Sequence, residues 1–523
     1  LPSNAAFMTR LVRAATSISA ITLMSRIFGL VRDRLMAQTL GAGWVQGTFL
    51  LAWTIPNLMR RLLGEGALSA SLLPQYAKTR RRDPAAAKLL LEEVMGAVVS
   101  ILTPICLVVA PASLLIPAEW LPAPEEGGTA AIRLLLILNS ILFAYSLPIC
   151  LAAVATGALN TLGSFALPAS IPIALNVIWI AALLAAKPLG LLVDTDVATL
   201  VAGSLAFGGG VQLLIVITPL VRRGELGRMR LGLPKRGTPA FTVFAMMLPT
   251  VLGMSLNQIS SIIDQLLAYY VIEPGSNMYV YLANRLLLFP HALTALAVAV
   301  AVFPKLANEA SDEDRAKMRK TLDLAASATI LVTLPAALGL ILLADDVVEV
   351  LFSGGRFGAE EVAQTVRTSI CLVAGLPFLG LAQLYARAFY AVGDTATPAR
   401  TAGQLVVLNV LTSVTLVLTT NLGTAALTLA SSLASMGNAI ALSARFRRHA
   451  PAGIGLGSAW LRSAAATGAM AAVVPFARIA PADAPLWLRA GGNLALPVSL
   501  GILVYVGAHA LMGSPELKAL RRR

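Results

Sequence analysis

Arginines inside apolar stretches are the residues of this sequence whose type and spacing could do chemistry. The stretch MSRIFGLVRDRLMA carries Arg26, Arg32 and Asp33, and later apolar stretches carry Arg60 and Arg285. A guanidinium binds phosphate through two parallel hydrogen bonds, so arginine suits a phosphate-bearing ligand. The elements around these residues decide whether such a ligand can reach them.

The amino-acid composition indicates whether the chain lies mainly in water or in a membrane. The 523 residues are 57% hydrophobic and 13% charged, with a mean hydropathy of +0.79, whereas a soluble domain carries about 25% charged residues. We therefore expect an integral membrane protein. The three cysteines lie singly and the three histidines are scattered, so we predict no disulfide framework, zinc motif or catalytic histidine cluster.

Windows of apolar residues predict the membrane spans. About fourteen of them are long enough to cross the hydrocarbon core. The first is too long and too charged for a cleavable signal, so we expect it to remain in the protein. The windows cover approximately residues 14–40, 44–74, 88–117, 129–159, 168–187, 196–220, 238–272, 278–304, 320–344, 361–392, 398–420, 424–444, 458–480 and 487–512.

Lysine and arginine collect in alternate loops and predict the orientation. KTRRRDPAAAK, RRGELGRMRLGLPKR, DRAKMRK, RFRRH and the tail KALRRR are basic, whereas the loops between them are acidic or neutral. Because cytoplasmic loops carry the excess of positive charge, we expect both termini in the cytoplasm. This topology accounts for the net charge of +14 without a nucleic-acid partner.

An internal repeat is indicated by matches at one offset, 230 residues. Pro74 matches Pro304, and the segment GALNTLGSFALPA matches RAFYAVGDTATPA, which aligns Gly163 with Gly393. Six spans per copy predict two parallel halves with a cavity between them, as in transporters. We expect an all-α fold of two pseudo-symmetric six-helix lobes, residues 1–225 and 226–450, and two further helices in 451–523.

The first helix carries charges at membrane depth. If it enters the bilayer near Ala14, a rise of about 1.5 Å per residue places Arg26 about 18 Å deep, near the bilayer centre. A charge at that depth requires a water-filled cavity or a partner. Asp33 shares a seam with Arg26, and Arg32 points toward another helix. Alternatively, Arg32 and Arg34 reach the outer interface and Asp33 pairs with one of them.

Two other spans add charges. The second carries Arg60, Arg61 and Glu65, and we expect Pro56 to break or kink its helix. In the eighth span Arg285 is either an interfacial anchor or a further cavity residue. Several buried arginines against few acids predict an anionic ligand, because like charges in a low dielectric otherwise repel strongly.

The seventh span carries polar residues of a different kind. SLNQISSIIDQLLAYY places Asn257, Gln258 and Asp264 inside an apolar helix. Their oxygens could bind a coupling ion. Hydrogen bonding between helices is the interpretation that we favour.

Four segments together resemble a known family. SRIFGLVRDRLMAQTLGAG, PNLMRRLLGEGALSASLLPQYAK, ANRLLLFP and FYAVGDTATP are similar to the MurJ (MviN) family of bacterial lipid II flippases. The resemblance covers the whole chain. It implies transport of an undecaprenyl-pyrophosphate-linked peptidoglycan precursor across the bacterial inner membrane by alternating access, and thus a part in peptidoglycan and cell-wall synthesis.

The resemblance also implies roles for particular residues. The family's cavity arginines match Arg26, Arg32, Arg60 and Arg285, and its acids in the first two helices match Asp33 and Glu65. A sodium site would use Asp264 and Asp394. The chain departs from the family pattern at Gly47 and Asn284, where many members have aspartate, and at Tyr390, where a polar sodium ligand is expected.

Several alternatives remain open. A flippase for another lipid-linked oligosaccharide also suits the arginines, whereas a cation-coupled multidrug exporter of the same superfamily predicts acids in the first lobe. A scaffold of cell-wall assembly would not need arginines at mid-depth, and an enzyme is not expected. We predict no cofactor, with transport driven by sodium or the membrane potential. The expected partners are lipid II, the bilayer and other cell-wall synthesis proteins.

Overall fold

The computed structural model describes residues 4–61, 67–293, 295–310, 315–449, 456–481 and 484–514. Within these ranges the regular elements are helices, and a single isolated bridge joins Gly354 to Phe357. The predicted all-α fold is confirmed. In chain order the helices are α1 (Asn4–Leu40), α2 (Trp44–Met59), α3 (Ala67–Arg82), α4 (Pro84–Leu115), α5 (Gly128–Thr161), α6 (Ala166–Ala186), α7 (Asp194–Arg222), α8 (Pro239–Leu267), α9 (Asn277–Leu293), α10 (Ala295–Asn308), α11 (Arg315–Leu342), α12 (Ala344–Phe352), α13 (Ala359–Val373), α14 (Leu376–Ala391), α15 (Ala396–Thr419), α16 (Thr424–Phe446), α17 (Leu456–Val473), α18 (Leu486–Arg489) and α19 (Leu496–Leu511).

Nine helical segments in the described part of the chain are long and apolar enough to cross a membrane. Each overlaps one of the predicted windows, so the chain is a multi-pass membrane protein. The total of fourteen spans stays a prediction. The nine are Pro84–Leu115, Gly128–Thr161, Ala166–Ala186, Asp194–Arg222, Arg315–Leu342, Ala359–Ala391, Ala396–Thr419, Thr424–Phe446 and Ala490–Leu511.

The order of helices repeats at the offset found in the sequence. α6 and α15 begin at Ala166 and Ala396, and α7 and α16 begin at Asp194 and Thr424. A proline follows the start of both α6 and α15, where a helix has no intrahelical partner for the backbone N–H group. The two helices therefore begin through the same local chemistry.

Packing divides the chain into two compact units. The first contains Leu1–Ile262 with Glu273–Gly275, and the second contains Ile263–Ile272 with Ser276–Arg523. This division reflects which residues pack against each other, whereas the predicted lobe boundaries at 225 and 450 were placed from the internal repeat in the sequence. Those boundaries stay a prediction.

In the first unit, α5 is central and packs against α2, α4 and α7. Close approach of α5 and α7 depends on Gly209, because a Cβ atom there would lie 2.7 Å from Tyr145 Cδ2. Small residues allow such approach between apolar helices, where van der Waals packing is the main attraction. A side chain at Gly209 would force these helices apart.

In the second unit, the last helices pack against α11. Tyr505 on α19 donates a hydrogen bond to the backbone oxygen of Leu331 at 2.7 Å. Arg489 donates to Glu349 Oε1 at 2.6 Å, which joins α18 to α12. The two C-terminal predicted spans therefore pack as part of this unit.

Candidate functional site

Arg32 and Asp33 form a buried ion pair on α1. Their exposed fractions are 7% and 2%. Arg32 donates to Asp33 Oδ1 from Nε at 3.0 Å and from Nη2 at 2.6 Å. Arg32 thus turns toward another helix, as predicted, and the alternative in which Asp33 pairs with an arginine is borne out. Arg32 itself is buried and does not reach out to an interface, whereas the interfacial position of Arg34 stays a prediction.

Residues of α6 complete the surroundings of Arg32. Its Nη1 donates to Asn176 Oδ1 at 2.9 Å, and its Cζ lies 4.5 Å from the Trp179 ring centroid. Asn176 Nδ2 donates back to the Ser25 backbone oxygen at 3.2 Å. Sequence reasoning missed Asn176 and Trp179, since one polar residue and one tryptophan in an apolar window carry no signal of their partner.

A cluster of aromatic side chains packs against the Arg32–Asp33 pair through Trp179. Trp179 contacts Phe49 and Trp53 edge-on, with ring centroids 5.7 and 5.8 Å apart, and Trp53 contacts Tyr145 at 5.2 Å. The guanidinium therefore lies between a carboxylate and a π face, and both stabilise a positive charge. Arg32 and Asp33 act together as a fixed, internally neutralised element of the first unit.

Arg26 differs from Arg32 although both belong to α1. Its side chain is exposed, and among the described residues it makes no hydrogen bond or ion pair. Six residues separate the two arginines, about 240° around the helix, so they lie on different faces. The guanidinium of Arg26 remains available to a ligand.

Arg60 follows the last residue of α2 and is half-buried. Its Nε and Nη2 atoms donate to Asn57 Oδ1 at 3.2 and 3.0 Å. Pro56 was expected to break or kink this helix. The break is wrong, because α2 continues through Pro56 to Met59, and the kink stays a prediction. Glu65 lies outside the described residues.

Arg285 lies on α9 in the second unit and is half-buried. Its Nη2 donates to the Tyr281 hydroxyl at 2.8 Å, and its Cζ lies 5.0 Å from the centre of the same ring. Tyr281 precedes Arg285 by one helical turn and orients the guanidinium. Asn284, which replaces the family's frequent aspartate, donates to the Val280 backbone oxygen at 2.9 Å.

The two carboxylates of the expected sodium site are far apart. Asp264 accepts a hydrogen bond from Ser413 at 3.3 Å, whereas Asp394 accepts one from the backbone N–H of Thr397 at 2.9 Å. Thr397 and Ser413 lie near opposite ends of α15, about 24 Å apart at 1.5 Å per residue. One sodium ion cannot bind both, and no metal-binding cluster of His, Cys, Asp and Glu occurs in the residues that the structure describes.

Polar residues of α8 contact neighbouring helices. Asp264 bonds to α15, and Gln258 Oε1 lies 3.4 Å from Arg61 Nη1. These contacts support hydrogen bonding between helices, the interpretation favoured from the sequence. The side chain of Asn257 lies outside the described residues.

Asp394 lies outside the membrane spans, and its charge is set by its immediate neighbours. Hydrogen bonds from Thr397 hold the pKa of Asp394 below its usual value. His449 Nε2 lies 3.6 Å from Asp394 Oδ2 and favours the charged carboxylate further when protonated. Asp394 therefore accepts a backbone N–H group in the first turn of α15.

These positions divide the predicted arginines by what they can do. Arg26 offers an exposed guanidinium, and Arg60 and Arg285 are each oriented by a neutral partner. Asp33 neutralises Arg32. Arg32 therefore supports the helix that carries Arg26 and has little charge left to offer an anion.

Known protein families match most of this chain. The family model described as "Lipid II flippase MurJ" matches residues 36–483. A probable lipid II flippase MurJ of Vibrio cholerae is 32% identical over 401 residues, which cover 75% of this chain and 74% of that protein. The lipid II flippase MurJ of Burkholderia cenocepacia is 32% identical over 410 residues, or 76% and 77% of the two chains.

Solved structures match the fold. The structure "Lipid II flippase MurJ, inward closed conformation" has a TM-score of 0.77 at 22% identity, covering 95% of this chain and 98% of the other. An inward-facing multidrug resistance transporter of the MATE family has a TM-score of 0.64 at 16% identity, covering 83% and 97%. The exporter therefore shares the architecture, whereas the sequence matches are to flippases.

Proposed function

The chain belongs to the MurJ family of lipid II flippases, and from that premise we propose that it carries lipid II across the bacterial inner membrane. The family match over residues 36–483 is the observation that carries this conclusion. Apolar helices of spanning length supply the membrane context. Lipid II feeds peptidoglycan synthesis, so the protein contributes to building the cell wall.

The headgroup is held by arginines in this proposal. Arg26, Arg60 and Arg285 bind the pyrophosphate, because a guanidinium offsets the desolvation of phosphate oxygens through charge-assisted hydrogen bonds. The buried Arg32–Asp33 pair positions α1 instead of contacting the substrate. This assignment rests on the match of these three residues to the family's cavity arginines and on the exposure of Arg26.

Transport in this proposal needs no covalent chemistry. The long prenyl tail stays in lipid while the headgroup crosses, and the substrate site opens first to one side and then to the other. The driving force is the membrane potential or an ion gradient, since a charge that crosses the field gains about 2.3 kcal/mol per 100 mV. Both termini lie in the cytoplasm, and other cell-wall synthesis proteins supply and consume the lipid.

Reconstituted vesicles test the proposal directly. The full chain is placed in vesicles with labelled lipid II in one leaflet, and the appearance of lipid II in the other leaflet is followed. We expect transfer that depends on the protein and is absent for a neutral prenyl lipid of similar length. Equal transfer of both lipids would contradict recognition of the headgroup.

The exporter alternative makes a different prediction in the same vesicles. An exporter moves a cationic drug and leaves lipid II in place, whereas a flippase does the reverse. Sequence matches to flippases, together with several arginines against few acids in the first helices, favour the flippase.

A further inference from the structure

A cavity of about 340 Å³ lies within the second unit, where α14, α15 and α16 meet. Small-ligand pockets usually measure about 300–1,000 Å³, so this volume suits a compact ligand. None of the lining residues belongs to the lipid II site proposed above. The lining includes Thr397, Arg400, Gln404, Arg445, Arg448 and His449.

Positive charge dominates this lining. It brings together three arginines, Arg400, Arg445 and Arg448. Within the described part of the chain, no acid forms an ion pair with Arg400 or Arg448. Asp394 lies beside the cavity, but it is 3.6 Å from His449 and accepts the backbone N–H group of Thr397. A concave surface with several cations and one engaged acid concentrates anions.

The wall of the cavity is held in place by hydrogen bonds. Arg445 Nη2 donates to Gln404 Oε1 at 3.0 Å, and Arg445 Nη1 donates to Thr401. On the other side Arg315 Nη1 donates to the His449 backbone oxygen at 3.1 Å. A guanidinium that is already oriented loses little conformational entropy when it binds a ligand.

Membrane topology alone does not explain this arrangement. Positive charge near the cytoplasmic ends of spans orients a membrane protein wherever the side chains point. Arg447 supplies such a charge, since it is exposed and does not line the cavity. Its neighbours Arg445 and Arg448 line the same cavity as Arg400. Several charged side chains around one cavity are typical of a binding site.

We propose that this cavity binds a phosphate group. Phosphate matches the planar fork of arginine and tolerates several positive neighbours. The cavity lies at the ends of two spanning helices, at Thr397 near the start of α15 and Arg445 near the end of α16. A phospholipid headgroup and dissolved phosphate can both reach that level, and both present the same oxygens.

Two measurements on the full purified chain separate these sources. Native mass spectrometry counts phosphatidylglycerol retained after mixing with phosphatidylcholine. Thermal unfolding in detergent compares inorganic phosphate with chloride at equal ionic strength. The variants Arg400→Gln and Arg448→Gln each remove one cation of the lining, and Arg447→Gln removes an equal charge beside it.

We expect the wild-type chain and Arg447→Gln to bind alike. Arg400→Gln and Arg448→Gln should weaken binding at least about tenfold, the effect of one lost charged hydrogen bond. A loss of retained phosphatidylglycerol in native mass spectrometry identifies a phospholipid headgroup as the ligand, and a loss of stabilisation by inorganic phosphate in thermal unfolding identifies dissolved phosphate. An equal loss in Arg447→Gln, or no loss in either measurement, would overturn the proposal. Neither measurement follows lipid II, so the outcome is independent of the proposed transport function.

Discussion

Arg26 and Arg32 show how position on one helix decides what a charge can do. Arg32 is neutralised by Asp33 and lies against Trp179, whereas Arg26 is exposed. A neutralised guanidinium has little attraction left for a phosphate. The contribution of each arginine to transport should differ accordingly.

Replacement of Arg26 tests its contact with the substrate. Arg26→Ala should lower the initial rate of lipid II transfer in vesicles at least about tenfold, because a charge-assisted hydrogen bond to phosphate is lost. Leu23→Ala is the matched control, since Leu23 is 53% exposed on the same helix and uncharged. Normal transfer by Arg26→Ala would remove this arginine from the proposed site.

Removal of Asp33 tests the buried ion pair. Asp33→Ala leaves a buried guanidinium without its carboxylate, so we expect the free energy of unfolding to fall by about 3–5 kcal/mol. The midpoint of denaturation in detergent measures this change. The double variant Arg32→Met with Asp33→Ala should recover much of the loss, because no buried charge remains. A single variant as stable as the wild-type chain would show that the pair is not structural.

At the scale of helices, ends are joined by ion pairs outside the membrane spans. Arg80 at the end of α3 donates to Glu225 Oε1 at 2.6 Å, just after α7. The hydrogen bond from Arg80 holds the pKa of Glu225 below its usual value. The contact therefore connects two helices that belong to different predicted spans.

This contact predicts a pH dependence of stability. A lowered pKa in the folded state stabilises the protein above the usual carboxylate pKa of about 4.3, and the effect is lost as pH falls through the folded pKa. Glu225→Gln should lower the unfolding midpoint at pH 7, and the difference should vanish at a pH below the folded-state pKa of Glu225. The change should be about 1 kcal/mol or less, because Arg80 is 38% exposed.

Glu119→Gln is the matched control for Glu225→Gln. It removes the partner of Arg133 from a pair whose side chains are 68% and 58% exposed. Such a pair contributes little to stability. A Glu225→Gln midpoint that differs equally at both pH values would show that the effect is not electrostatic.

Helix positions were predictable where the sequence repeats a turn. The starts of α6 and α15 lie between a matching glycine and a matching proline, so the offset locates both. The course of the second span was not predictable in the same way. Pro56 suggested a break within α2, yet the helix continues to Met59. Pro56 lies in the last turn of α2, where it removes one backbone hydrogen bond, and packing against a neighbouring helix can outweigh that loss.

The partners of charges were the least predictable part of the site. Asn176 lies 144 residues from Arg32 in the chain, and no spacing rule joins them. Asp264 and Asp394 were expected at one site, but a helix separates them. Local periodicity indicates which face a residue occupies, whereas contacts between distant residues depend on packing.

At the scale of the whole molecule, labelling of single cysteines tests the orientation in the membrane. With the three natural cysteines replaced, Ala85→Cys in the basic loop and Glu125→Cys in an acidic loop report opposite sides. An impermeant thiol reagent should label Glu125→Cys in intact cells and Ala85→Cys only after lysis, because basic loops face the cytoplasm. Labelling in the reverse order would invert the proposed topology.

The turns after α5 and α14 are two copies of one structure. Gly163 and Gly393 have φ angles of +77° and +82°, and a Cβ atom at either position would meet nothing within 4 Å. An alanine at either site would thus encounter backbone strain without a steric clash. Gly163→Ala and Gly393→Ala therefore make the same change in two equivalent turns. An equal loss of unfolding free energy in both variants would measure backbone strain alone, and a difference between them would measure the contribution of the surrounding half of the molecule.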